Sequence, residues 1–230
     1  MRMKSISLRS LSLMGVVSAF FVLAACADSS SPEKGAASEI ADVALANSVY
    51  DALMASTNDK GQATKARLRQ DEVQEFCSKP RSDYGDAERA NAIREARMAL
   101  VQMPADGEFI GDWARGAEVA NNGRGLQYSD DPAAPNGGNC YACHQMDPRE
   151  VAYGTIGPSL TNYGARGQSE VMLQYTWTKM WDTHAYNLCS HMPRFGAQGI
   201  LTEQQLKDVM AYLLDPASPV NQPLEAQQEN

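Results

Sequence analysis

Cys140-Tyr141-Ala142-Cys143-His144 constrains this chain more than any other stretch. Two thiols separated by two residues on one helical turn can each add across a vinyl group of the same haem, and a His directly after the second Cys then falls beneath the iron. The pentapeptide predicts one covalently bound haem c, attached through Cys140 and Cys143 with His144 as an axial ligand. A zinc site needs four ligands, usually including a second C-x-x-C or an H-x-x-x-H pair, and the sequence has neither. A thioredoxin-like redox pair would follow a strand in a βαβ pattern, whereas this one follows a Gly-rich loop in a chain with helical patterning.

A haem held by one His needs a second ligand for electron transfer or an open face for ligand chemistry. The distal candidates are Met172, Met180, Met192, His184 and His191. Met192 precedes Pro193, and this M-P step resembles the distal loop of class I cytochromes c. Its neighbour His191 is the rival, because consecutive residues of an extended segment point opposite ways and only one can face iron. Met192 is the expected ligand, with the other methionines as core and His184 as a surface or satisfied imidazole. Gly157-Pro158-Ser159-Leu160 also resembles the G-P-x-L segment of class I cytochromes. That resemblance implies that the Pro158 carbonyl accepts the His144 Nδ1–H and leaves Nε2 for iron. Tyr163, Trp177 and Trp181 are expected around the porphyrin, and Arg194 is either a propionate partner or a surface charge.

The N-terminus sets the compartment. Arg2, Lys4 and Arg9 precede an uncharged run of 18 residues, Ser10 to Ala27, in the pattern of an export signal. Leu23-Ala24-Ala25-Cys26 resembles a bacterial lipobox, with Cys26 lipidated and first in the mature chain; several acyl chains anchor stably where one does not. An uncleaved signal anchor is the other reading, since 18 residues reach the lower limit for a span. Both place the rest of the chain outside the cytoplasm, in a periplasmic, membrane-tethered setting. Net charge is −8, falling to about −11 without the signal. No basic footprint for nucleic acid exists, and a basic protein surface or small soluble partner is favoured.

The order expected is a signal over 1–25, a Ser/Pro tether over 26–37, a helical extension over 38–103 and an all-α, class I cytochrome c-like haem domain over 104–230. In the extension, Ile40, Val43, Val49 and Leu53 line a first helix, Leu68, Val73 and Phe76 a second, and Asp86 to Val101 forms a third that Pro104 stops. The extension either packs on the main domain or docks a partner. Asp112 caps a short helix to Ala120, and Tyr128 to Asn139 is loop. Thr202-Glu203-Gln204-Gln205 is a capping box ahead of Leu206, Val209, Met210, Leu213 and Leu214.

The cysteines then close as a set. Cys26 is assigned to lipid and Cys140 and Cys143 to haem, which leaves Cys77 and Cys189 as an even pair in an oxidising compartment. They form one disulfide, or else stand as separate thiols or an intermolecular bridge.

The longer matches are specific to one family. Gly111-Asp112-Trp113, the C-Y-A-C-H, Cys189-Ser190-His191-Met192-Pro193-Arg194-Phe195-Gly196 and Leu214-Asp215-Pro216-Ala217-Ser218-Pro219-Val220-Asn221 resemble SoxX, the monohaem subunit of the SoxAX cytochromes of bacterial thiosulfate oxidation. The likeness runs from about Pro104 to Asn221, and the surroundings of Cys77 resemble longer SoxX forms. It implies a heterodimer with a SoxA-type cytochrome, transient contact with the carrier SoxYZ, and a soluble acceptor cytochrome. In such a complex thiosulfate is joined oxidatively to a SoxYZ cysteine at the SoxA haem, and this chain carries electrons with no substrate site of its own. An independent, membrane-tethered cytochrome serving a respiratory oxidase is the alternative.

Overall fold

The computed structural model describes residues 33–78 and 86–223. The signal over 1–25 and Cys26 lie outside the described residues. The described part is all-helical apart from one isolated bridge between Lys60 and Ala63. The chain divides into two units, one ending at Tyr50 and one running from Asp51 onward. Helix α1, Glu33–Ser56, begins in the first and ends in the second. It starts within the stretch read as tether, because Ala36 and Ala37 cost little backbone freedom in a helix and the Ser/Pro run ends at Pro32. Val49 and Leu53, expected on a packing face, are exposed at 60% and 47%.

Among the described residues, the second unit holds the end of α1 and five further α-helices. The segment read as one helix through Leu68, Val73 and Phe76 is two pieces: a 3₁₀ turn, Lys65–Leu68, and helix α2, Glu72–Cys77. Asp71 divides them, since its carboxylate accepts the Gln74 N–H while Gln74 returns a bond to the Asp71 N–H, a capping box that starts a new helix there. Helix α3, Ala87–Ala99, is capped by Asp86. Helices α4, Trp113–Asn121, and α6, Glu203–Leu214, start at the expected caps Asp112 and Thr202. Helix α5, Glu170–Trp181, starts at Ser169.

Helices α4 and α6 cross closely, and Gly116 permits it: a Cβ there would lie 2.0 Å from the Asp208 carbonyl oxygen. Around the crossing, Arg115 donates to both Asp208 oxygens at 2.9 and 3.0 Å, and the Asp112 N–H donates to Asp208 Oδ1 at 2.9 Å. Burial would raise the Asp208 carboxyl, but the Arg115 guanidinium and the Asp112 N–H outweigh it and hold the group below its ordinary value. Every residue of α6 from Leu206 to Leu214 is buried. Its inner face joins Val119, Ala120, Tyr141, Met146, Trp177 and Phe195 in the main core.

A smaller core of Val73, Phe76, Ile93 and Leu188 joins α2 and α3 to the segment after α5. Arg97 of α3 pairs with the buried Asp182, its Nε donating at 2.7 Å, and Trp177 Nε1 donates to the Gln102 carbonyl at 2.7 Å. These residues of the extension therefore pack on the helical body.

Candidate functional site

The C-x-x-C-H begins on a 3₁₀ turn, Cys140–Ala142, entered through Asn139 in the left-handed conformation at φ 48°. The His144 N–H donates to the Cys140 carbonyl at 2.9 Å, so the His stands one turn beyond the first thiol. Residues 154–160 run alongside and are bonded to this turn: Gly154 N–H to Tyr141 O, Gly157 N–H to Cys143 O and Leu160 N–H to Gln145 O, all at 2.8 Å. The two backbones touch. A Cβ on Gly154 would lie 1.9 Å from the Ala142 oxygen, and one on Gly157 would lie 2.2 Å from His144 Cε1. Only glycine lets the segment press flat against the imidazole.

That contact sets the histidine. His144 Nδ1 lies 2.7 Å from the Pro158 carbonyl oxygen, and a carbonyl only accepts, so Nδ1 carries the hydrogen and Nε2 keeps its lone pair. The imidazole is a fixed σ-donor through Nε2. Cys140 and Cys143 are free thiols on one turn, whereas Cys77 and Cys189 are bonded to each other across 112 residues. Burial pushes the Cys140 thiol up to about 12. Among the described residues no group of three His, Cys, Asp or Glu is placed to hold a metal ion.

The distal loop follows α5. Met192 is half-buried and packs against the main core, while its neighbour His191 is exposed, so the alternation sends the thioether inward and the imidazole outward. Met180 is buried in the core, and Met172 receives the Thr176 hydroxyl at 3.6 Å. His184, expected as a surface or satisfied imidazole, is buried at 7%; its Nε2 donates to the Ser190 carbonyl at 3.0 Å and its Nδ1 has no partner. Arg194 is not a surface charge: its side chain is 7% exposed and pairs with Asp71 at 2.5 Å. Trp177 is fully buried, with Trp181 stacked on it at 6.0 Å, and the Tyr163 hydroxyl bonds Thr176.

Residues 114–215 match the family described as cytochrome c. Over 160 residues, 68% of this chain and 75% of the other, the sequence is 38% identical to an uncharacterized lipoprotein of Aquifex aeolicus (strain VF5). The chain carries a cytochrome c domain.

The residues present fit the covalently bound haem c of that family. Two unbonded thiols on one turn and an imidazole with Nδ1 occupied and Nε2 free form the donor set that thioether attachment and axial ligation need. In this cytochrome Cys140 and Cys143 would hold the porphyrin and His144 the iron. Bound haem supplies reversible one-electron chemistry at the iron. The chain's own residues orient the imidazole through Pro158 and Gly157, while Leu160, Leu173, Met192 and Ile200, each half-buried, pack against the main core. Sequence reasoning read His184 as a surface or satisfied imidazole but gave it no partner, because nothing in an isolated imidazole announces its acceptor six residues on. It missed Asp71, whose capping role was legible but whose ion partner is 123 positions away.

Proposed function

We propose that this cytochrome is the SoxX-like electron-transfer subunit of a two-cytochrome enzyme that oxidatively joins thiosulfate to a cysteine of a SoxYZ-type carrier. The observation that carries the reading is the pair of runs Cys189 to Gly196 and Leu214 to Asn221. Their residues have definite structural duties. Phe195 is buried in the core, and Gly196 lies so close to Trp181 that a Cβ would be 2.3 Å from its ring. Ser218 donates to the Tyr212 carbonyl at 2.5 Å, and Asn221 donates to Leu213 and Asp215 while accepting from Gly164.

Joining thiosulfate to a thiol releases two electrons, and a single His/Met haem takes one at a time, so one such haem cannot complete the reaction alone. A catalytic partner of the SoxA type is therefore part of the proposal, with one haem c here, His144 and Met192 as its ligands and a soluble cytochrome as acceptor. The mature chain begins at a lipidated Cys26 on the periplasmic side of a membrane. The lipoprotein name of the Aquifex aeolicus relative supports that anchor.

Anaerobic haem spectroscopy during turnover tests the role. The purified subunit should be reducible yet inactive toward thiosulfate plus SoxYZ, and adding the SoxA partner should start turnover with this haem becoming reduced. Full turnover by the isolated chain, or undiminished turnover by the partner without it, would defeat the proposal. A second reading, a tethered carrier serving an oxidase, shares the lipid anchor that the lipoprotein relative supports and predicts copurification with no SoxA-type cytochrome.

A further inference from the structure

The segment from Tyr186 to Leu201 contains Met192 yet has no helix or strand. A loop without a backbone ladder opens locally at low cost unless other bonds hold it. Here Phe195 N–H bonds the Met180 carbonyl at 3.1 Å and Ala197 N–H the Trp181 carbonyl at 2.9 Å, which fixes the far side of the loop to α5, and a second set of bonds surrounds Met192. Cys189 is covalently tied to Cys77 at the end of α2. The Ser190 carbonyl accepts the His184 Nε2–H at 3.0 Å, and the Ser190 hydroxyl accepts the Met192 N–H at 3.1 Å. Arg194 pairs with Asp71, the cap of α2. Met192 thus sits between tethers at 189, 190 and 194, and two of these lead to the extension.

His184 is itself held from the same side. Its backbone N–H donates to Asp182 Oδ1 at 3.1 Å, and Asp182 Oδ2 accepts Arg97 of α3. The imidazole leaves Nδ1 buried without a partner, a cost that an apolar ring of similar size would avoid. What the imidazole supplies in return is the bond to Ser190. Beside it a cavity of about 320 Å³, lined by Val73, Cys77, His184, Ser190, Met192 and Arg194, separates α2 from the loop. An untethered loop has room to retreat into it.

We infer that His184, together with Asp71 and Cys77 of the N-terminal extension, positions the distal loop and so preorganises Met192 as the iron ligand. The inference rests on the reading of Met192 as that ligand. It assigns the extension a task in the electron-transfer site, namely raising the fraction of time that the thioether occupies the sixth position.

The test uses the full haem-bearing protein in the ferric state and reads the weak sulfur-to-iron charge-transfer band and the affinity for added imidazole, which competes with Met192. Met192→Ala is the control: loss of the band upholds the ligand, and a retained band would remove that reading and this inference with it. His184→Phe keeps a ring but no donor, and should weaken the band and raise imidazole affinity by about tenfold, the effect of one lost buried hydrogen bond. His184→Gln, whose amide can reach the Ser190 carbonyl, should stay within about twofold of wild type. Should His184→Phe yield no folded holoprotein, Asp71→Asn carries the test. Asparagine still caps α2 but lacks the charge that holds Arg194, so imidazole affinity should rise. With the band present in wild type and absent in Met192→Ala, an affinity unchanged in His184→Phe, or in Asp71→Asn where that variant stands in, would overturn the positioning role.

Discussion

Single residues in this protein carry more than their type suggests. His184 is pulled down from the ordinary imidazole value of 6.5, first by burial, then by the nearby Arg194 charge, against the raising effects of the Ser190 hydrogen bond and of Asp182 and Asp71. A group with a depressed folded pKa contributes stability above its unfolded value and loses it as pH falls. Denaturation midpoints should therefore be flat above about pH 6.5 and decline on the acid side, as the unfolded chain takes up a proton that the folded site resists. His184→Gln, which does not titrate, should shrink that decline relative to wild type in urea titrations at pH 7.5 and 5. Gly157 is a second such position. A methyl group there collides with the His144 ring, so Gly157→Ala should move the imidazole off the Pro158 carbonyl, read as the loss of the ring-to-Pro158 contact by NMR.

Elements form where caps and close approaches allow them. The capping box at Thr202 satisfies end groups of α6 that nothing else reaches, so Thr202→Ala should cost about 1 kcal/mol. Gly116 at the crossing of α4 and α6 is more demanding, because a Cβ there meets the Asp208 carbonyl and the Tyr212 Cβ, both parts of a buried helix that cannot yield. Gly116→Ala should destabilise by about 3 kcal/mol or more, even though Ala is the better helix former, and chemical denaturation measures both variants. Caps were readable from sequence because a capping box is a local exchange of bonds between positions three apart. The break between the 3₁₀ turn and α2 at Asp71 used the same chemistry, but apolar spacing through Leu68, Val73 and Phe76 hid it. Helix α5 gave a weaker signal, since its buried positions include Thr176 and Thr178 and its apolar stripe is correspondingly blurred.

At the scale of the whole molecule, one covalent bridge joins α2 to the distal loop across 112 residues. Closing a loop of that length restricts the unfolded chain, so Cys77→Ser with Cys189→Ser should cost about 2–4 kcal/mol and lower Tm by roughly 5–15 °C, measured by calorimetry. Cysteine arithmetic anticipated the pair by elimination while leaving separate thiols open, and the structure bonds them. What the sequence alone determined is the chemistry that depends on neighbours along the chain: the haem motif, the G-P turn, the helix caps and the all-helical class. These are legible because their geometry closes within a few residues. Only the tertiary structure decided where His184, Arg194 and Asp71 belong, because each takes its meaning from a group that is remote or buried. Arg194 has no local cue that distinguishes a propionate partner, a surface charge and an ion pair with Asp71. Its partner is chosen by how α2 packs beside the distal loop, and that packing rests on the shared burial of Val73, Phe76, Ile93 and Leu188, a property of the folded assembly rather than of any segment.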